Sequence, residues 1–318
     1  MAKIKIRAAF RDWDYLTPLL IGDIQSDHVD LEIERVGTLV TNLAESDSYD
    51  VAETSFSRYA SARAAHDDRL IGVPHFLMRG FRHRCLITRK DSPITTFNEL
   101  AGKRIGVTGW RDSGNVWTRT ALFHEGIDVE DAYWYAGRLT EAHPITDRLD
   151  GFGRPGRIEA APDEKPMVEL LENGWLDAIM TPFMPDGFFN SSTSFRQLLP
   201  DFRASEQAYY DKVGYIPGIH MLAFKKDFVE KHSEAVVEVD RLLNASKKLW
   251  LNKRRKYAET TPWILDDLEY SAYRLAADWD SSGLETNSRM IRDFTSELYR
   301  QQILPHNLTV EDLFPHRF

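Results

Sequence analysis

Polar and apolar residues alternate from the start of the chain. Residues 3–9 read Lys, Ile, Lys, Ile, Arg, Ala, Ala, close to the period of two of a half-buried strand. A polar turn, Arg11-Asp12-Trp13-Asp14, and an apolar segment over 15–20 follow. A second strand is predicted over 29–36, a helix-like stretch near 39–44, and a short strand over 49–52. That strand runs into Glu53-Thr54-Ser55-Phe56-Ser57, where a serine is placed to cap a helix over 59–65. Strands alternating with helical patterns imply βαβ units and a largely parallel sheet.

The next strand is predicted over 82–88, and Asp91-Ser92-Pro93 breaks the chain after it. A short helix over 96–100 and a Gly102 turn lead into a strand ending at Val107. The loop 111–115 then opens a helix over 116–124, with Gly126 just past its end. Residues 137–166 are rich in Gly, Pro and charge and predict only a short strand near Ile158. Helices over 168–173 and 202–210 flank a strand over 176–180, and 219–224 is a returning strand. The remainder is helical, over 235–250, 268–277 and 288–301. If 82–88 and 219–224 are both crossovers, the chain forms two lobes. Residues 1–91 and 219–318 make a discontinuous first lobe, with 92–218 inserted as the second. The expectation is an α/β architecture with a small-molecule cleft between hinged lobes and a helical C-terminal segment.

Composition narrows the class. The chain has 318 residues, 42% hydrophobic and 28% charged, ample for two packed units at about 150 residues each. Acids outnumber bases 49 to 40, which argues against a nucleic-acid partner. No apolar run suits a membrane span, and the first residues lack the apolar stretch of a secretory leader, so the expectation is a cytoplasmic protein without a membrane partner. The single cysteine, Cys85, sits beside Leu86 and Ile87 and reads as a buried, inert thiol. The ten histidines show no zinc spacing and no nucleotide motif is present. The basic run Lys247-Lys248 with Lys253-Arg254-Arg255-Lys256 reads as a solvated helix end.

Candidate chemistry sits at strand-to-helix switches. Ser113 and Gly114 open a helix whose N-terminal N–H groups favour an anion, and Arg111 stands in the same loop. Ser55 and Ser57 occupy the corresponding point of the first lobe, although capping alone also accounts for either pair. Arg82 lies in the dense basic segment 78–84, where a guanidinium fork suits a carboxylate. On an extended strand Arg82 and Arg84 would share one face and His83 the other. His83 and His220, which follows Pro217-Gly218, are the candidate proton carriers. Trp117 and Arg119, on the helix after Ser113, complete the set, Trp117 also fitting a core role.

These pieces together resemble the 4,5-dihydroxyphthalate decarboxylase-like family. The resemblance rests on Leu16-Thr17-Pro18-Leu19, on the run Tyr49 through Tyr59, on Phe81-Arg82-His83 and on Leu100-Ala101-Gly102-Lys103-Arg104-Ile105-Gly106-Val107. Val116-Trp117-Thr118-Arg119, Pro200-Asp201-Phe202-Arg203 with Glu206, Tyr209 and Tyr210, and Ile216-Pro217 with His220 continue it. Gly283-Leu284-Glu285-Thr286-Asn287 and Leu313-Phe314 extend it further. It departs at Trp110-Arg111-Asp112-Ser113 and over 181–190. The resemblance implies a two-lobed type II periplasmic-binding-protein-like fold and decarboxylation of a hydroxylated aromatic carboxylate without a cofactor. The partner would be that small aromatic carboxylate, with self-association left open. Two other readings share the fold: a noncatalytic solute-binding protein for a small carboxylate, and an enzyme of menaquinone biosynthesis.

Overall fold

A computed structural model describes residues 2–318. In chain order its elements are β1 (Ile4–Arg11), α1 (Thr17–Leu20), β2 (Val29–Val36), β3 (Val51–Ser55), α2 (Phe56–Ala64) and β4 (Leu70–Arg79). Then come β5 (Leu86–Arg89), β6 (Arg104–Val107), α3 (Ser113–His124), β7 (Tyr133–Ala136), β8 (Ile158–Ala160), α4 (Met167–Glu172), β9 (Ala178–Met180), β10 (Phe195–Gln197) and α5 (Phe202–Val213). The last are β11 (Gly218–Lys225), α6 (Lys226–Lys231), α7 (Ser233–Lys256), α8 (Ile264–Arg274), α9 (Leu284–Arg300) and α10 (Val310–Leu313).

The chain divides into two compact units. The first takes the residues up to Arg79 with Gly218–Asp293 and Leu308–Phe318; the second takes Gly80–Pro217 and Phe294–Asn307. The boundary expected at 91/92 therefore lies at 79/80. The reason is β5, which pairs with β9 and β10 in the second unit's sheet. Residues 294–307, expected in the first unit, pack in the second because Phe294 stacks on Trp117 at 4.9 Å and Gln301 bonds Arg119.

The first unit holds a five-stranded sheet in the order β2-β1-β3-β11-β4. Strands β1, β2 and β3 are parallel, but β11 runs antiparallel to both β3 and β4, so the sheet is mixed rather than largely parallel. Helix α7 packs on it through Val236, Val239, Leu242 and Leu243, a 3.6-residue stripe against Ile6, Phe10 and Phe224. Each such side chain, fully buried, contributes about 1.5–3 kcal/mol. The helix-like stretch expected near 39–44 is only a short 3₁₀ turn at Leu43–Glu45.

The second unit holds a six-stranded sheet in the order β10-β5-β9-β6-β7-β8, covered by Met167, Leu170 and Leu171 of α4. The strand expected over 82–88 begins only at Leu86. Before it, the Cys85 amide bonds back to the Arg82 carbonyl at 3.0 Å and closes a 3₁₀ turn over His83–Cys85. Cys85 is buried, as its neighbours suggested. Among the described residues, no helix is long and apolar enough to cross a membrane.

Candidate active site

In the first unit the site-forming residues lie on β1, β3, β11 and the start of α2. Ser55 ends β3 and caps α2, accepting from the Arg58 amide at 3.5 Å. Ser57 lies in the first turn of α2 and is fully buried. The register of β11 sets His220 opposite Ser55 of β3 and Met78 of β4. Glu53, two residues before Ser55 on the same strand face, meets His220 across the pair. His220 Nδ1 and Glu53 Oε1 are 2.6 Å apart. The pairing of β11 with β4 is irregular on both sides of His220, and bulges of this kind aim a side chain out of the regular ladder.

Glu53 is the residue that sequence reasoning passed over. It has no exposed surface, and its other oxygen accepts from the Arg11 amide at 2.9 Å and the Trp13 indole at 2.8 Å. A carboxylate fixed by a backbone amide and an indole N–H orients the imidazole bonded to it. With Nδ1 donating to Glu53, Nε2 is the ring nitrogen that can take up or give a proton. The signal was present in Val51-Ala52-Glu53-Thr54-Ser55, since an acid in an apolar strand needs buried partners.

In the second unit Arg82 is 2% exposed and lies against the first turns of α3. Its Nε donates to the Gly114 carbonyl at 3.1 Å and the Thr118 hydroxyl at 3.3 Å. Its Nη2 has no hydrogen-bond partner among the described residues. Burial pushes this guanidinium below its ordinary pKa. Gly114 is required here, because a Cβ would stand 2.8 Å from Nη2. Ser113, beside it at the helix start, is buried. Arg82 thus holds one donor, Nη2, without a hydrogen-bond partner among the described residues at the first turn of α3, beside Gly114, a position that favours an anion.

Other candidates of the second unit have protein partners. Arg111 pairs with Asp150 at 2.5 Å. Arg119 is 1% exposed, bonds Gln301 and the Trp110 carbonyl at 2.7 Å each, and lies 3.9 Å over the Trp110 ring. Burial pushes its pKa down to about 9. Trp117 packs between Phe294 and Tyr215. His83, freed from the expected strand, stacks on Phe97 and edges onto Tyr209. Burial, with His124 nearby, pushes its pKa down to about 4, so it is neutral at pH 7. Among the described residues, no group of three or more His, Cys, Asp or Glu side chains is placed to hold a metal ion.

Comparison with known proteins gives this geometry a context. A 4,5-dihydroxyphthalate decarboxylase of Comamonas testosteroni is 26% identical over 99% of this chain and 97% of its own length. The chain is similar to the 4,5-dihydroxyphthalate decarboxylases. A second such decarboxylase, from Pseudomonas putida, is 28% identical over 68% of this chain and 84% of its own. A family model described as NMT1/THI5 like matches residues 27–150. The periplasmic aliphatic sulphonate binding protein SsuA of Escherichia coli shares the fold, with a TM-score of 0.57 at 11% identity over 99% of this chain and all of that one. The fold is thus the periplasmic-binding-protein-like α/β fold, and the resemblance carried by separated motifs extends along the chain.

Proposed function

We propose that this protein is a cofactor-independent decarboxylase acting on a hydroxylated aromatic carboxylate of the phthalate type. The observation that carries the reading is the His220–Glu53 pair, a histidine oriented by a fully buried carboxylate. The similarity to decarboxylases supports it. In this reaction the ring carbon bearing the carboxylate gains a proton, and a phenolic oxygen feeds electrons into the ring. The bond to the carboxylate then breaks, its electron pair restores the aromatic ring, and carbon dioxide leaves. The protein has to bind the substrate, exchange a proton and exclude water.

His220 exchanges the proton through Nε2, and Glu53 holds the imidazole in place. His83 is no proton source at neutral pH, because burial keeps it uncharged. In the second unit Arg82, at the start of α3 with Ser113 and Gly114, is the candidate for a carboxylate; Ser55 and Ser57 are the hydroxyl candidates of the first unit. A guanidinium gripping the departing carboxylate would stabilise the ground state. Arg82 therefore serves the carboxylate that stays.

The test is carbon dioxide release from a panel of hydroxylated phthalates and benzoates. Turnover of at least one member, lost in His220→Gln with binding kept, is the expected result. Tight binding without turnover across the panel would replace this reading with that of a noncatalytic carboxylate-binding protein.

A further inference from the structure

Helix α8 is poorly supported by its own chain. Of its eleven residues only Ile264 is buried. Helices shorter than about 12–15 residues are marginal in water on their own, and surface helices gain stability by burying an apolar face. Here large apolar side chains face solvent on and around the helix. Trp263 is 74% exposed, Leu265 57%, Tyr273 86% and Tyr257 60%. Four large apolar side chains exposed within 257–273 are the ground for seeking a partner at this segment.

The charge pattern says what covers it. From Lys247 to Lys256, at the end of α7, every charged residue is basic. From Ala258 to Tyr273 every charged residue is acidic: Glu259, Asp266, Asp267 and Glu269. Some of the bases are paired within the chain, Lys247 with Asp280, Lys253 with Asp23 and Arg254 with Asp14. Lys248, Arg255 and Lys256 are exposed and have no ion pair among the described residues; the same holds for Glu259, Asp266 and Glu269.

We propose that the partner is a second copy of this chain, with α8 of each copy lying on the α7 end of the other about a two-fold axis. In a two-fold interface both copies present the same patch. A patch that is half acidic and half basic is then complementary to itself: the acidic stretch of each copy meets the basic stretch of the other, so the contact occurs twice. Exposed Tyr257 lies between the two stretches and exposed Trp263 within the acidic one, and aromatic residues of this kind serve as interface anchors. The segment 248–274 is of the size such a patch requires, about 20–30 residues a side. Association joins α8 to a surface that completes its packing.

The test uses the full chain in sedimentation velocity with two charge-reversed variants, Lys248→Glu/Arg255→Glu and Asp266→Lys/Glu269→Lys. The wild type is expected to be dimeric at micromolar concentration. Each variant alone faces like charges across both contacts, and its dissociation constant should rise about tenfold or more. An equimolar mixture of the two restores opposite charges at both contacts and should recover the dimer. A wild type that stays monomeric, variants that dimerise unchanged, or a mixture that stays monomeric would each overturn the proposal. A second measurement needs no substitution. Amide exchange over 264–274 in the wild type should slow as concentration rises through the dimerisation range, and concentration-independent exchange there is also fatal to it.

Discussion

Replacing Glu53 by Gln asks the most of the proposed chemistry. The carboxylate accepts three hydrogen bonds, two on Oε2 from the Arg11 amide and the Trp13 indole and one on Oε1 from His220. An amide has one acceptor oxygen. That oxygen stays with the two fixed donors, so the amide NH₂ turns to His220 and donates to Nδ1. The neutral imidazole then carries its proton on Nε2 with Nδ1 occupied as an acceptor, so it can no longer form the imidazolium that gives up a proton while it keeps this bond. The bond lost is charge-assisted and buried, and such bonds contribute about 1.5–3 kcal/mol. At about 1.4 kcal/mol per factor of ten, kcat should fall roughly 10- to 150-fold with KM little changed. Steady-state carbon dioxide release on a substrate found in the panel measures this. A folded Glu53→Gln protein with wild-type kcat would refute the reasoning outright, since the isosteric change leaves packing intact.

Two further outcomes follow from the second unit. The unfolded chain protonates His83 near pH 6.5 and the folded chain only near about 4. Between those values the unfolded state holds more protons, so stability falls as pH falls through the window. Urea unfolding at pH 7 and pH 4.5 should show the wild type losing roughly 2–3 kcal/mol more than His83→Gln over that interval; equal losses would remove the buried-histidine argument. Gly114→Ala places a methyl 2.8 Å from Arg82 Nη2 and should displace the guanidinium. A cost of about 1–3 kcal/mol in denaturant stability and clearly weaker ligand affinity by titration are expected, and unchanged affinity would take Arg82 out of the anchoring role.

Periodicity revealed β1, β2, β3, β11 and the Ser55 cap, because each has a clear alternation or a hydroxyl residue before an apolar run. It missed β4, which contains Gly72 and Pro74, residues that ordinarily argue against a strand. The sheet order explains the exception: β4 is at the edge, where a missing N–H costs no ladder bond. The turn at 82–85 was hidden for the opposite reason, since alternating Arg and His residues read as a strand until a backbone bond closes them. Tyr133-Trp134-Tyr135-Ala136 was too short to stand out. At the site, hydroxyl and histidine candidates were legible one by one. Partnership was not: Glu53 on His220, Asp150 on Arg111 and Gln301 on Arg119 are contacts between distant positions, and only the folded chain pairs them.

The sheet order of the first unit also dictates when that unit can close during synthesis. β4 finds its neighbour in β11, and all of Gly80–Pro217 is made between them. At about 5–20 residues per second the ribosome needs on the order of ten seconds for that stretch. Throughout that time the apolar strand from Leu70 to Arg79 has no partner to pair with, and β3 has an open side. The nascent chain thus carries β4 unpaired while Gly80–Pro217 is made, and the second unit in turn waits for Phe294–Asn307. Chaperone demand should accordingly begin before β11 emerges and last until Phe294–Asn307 has been made.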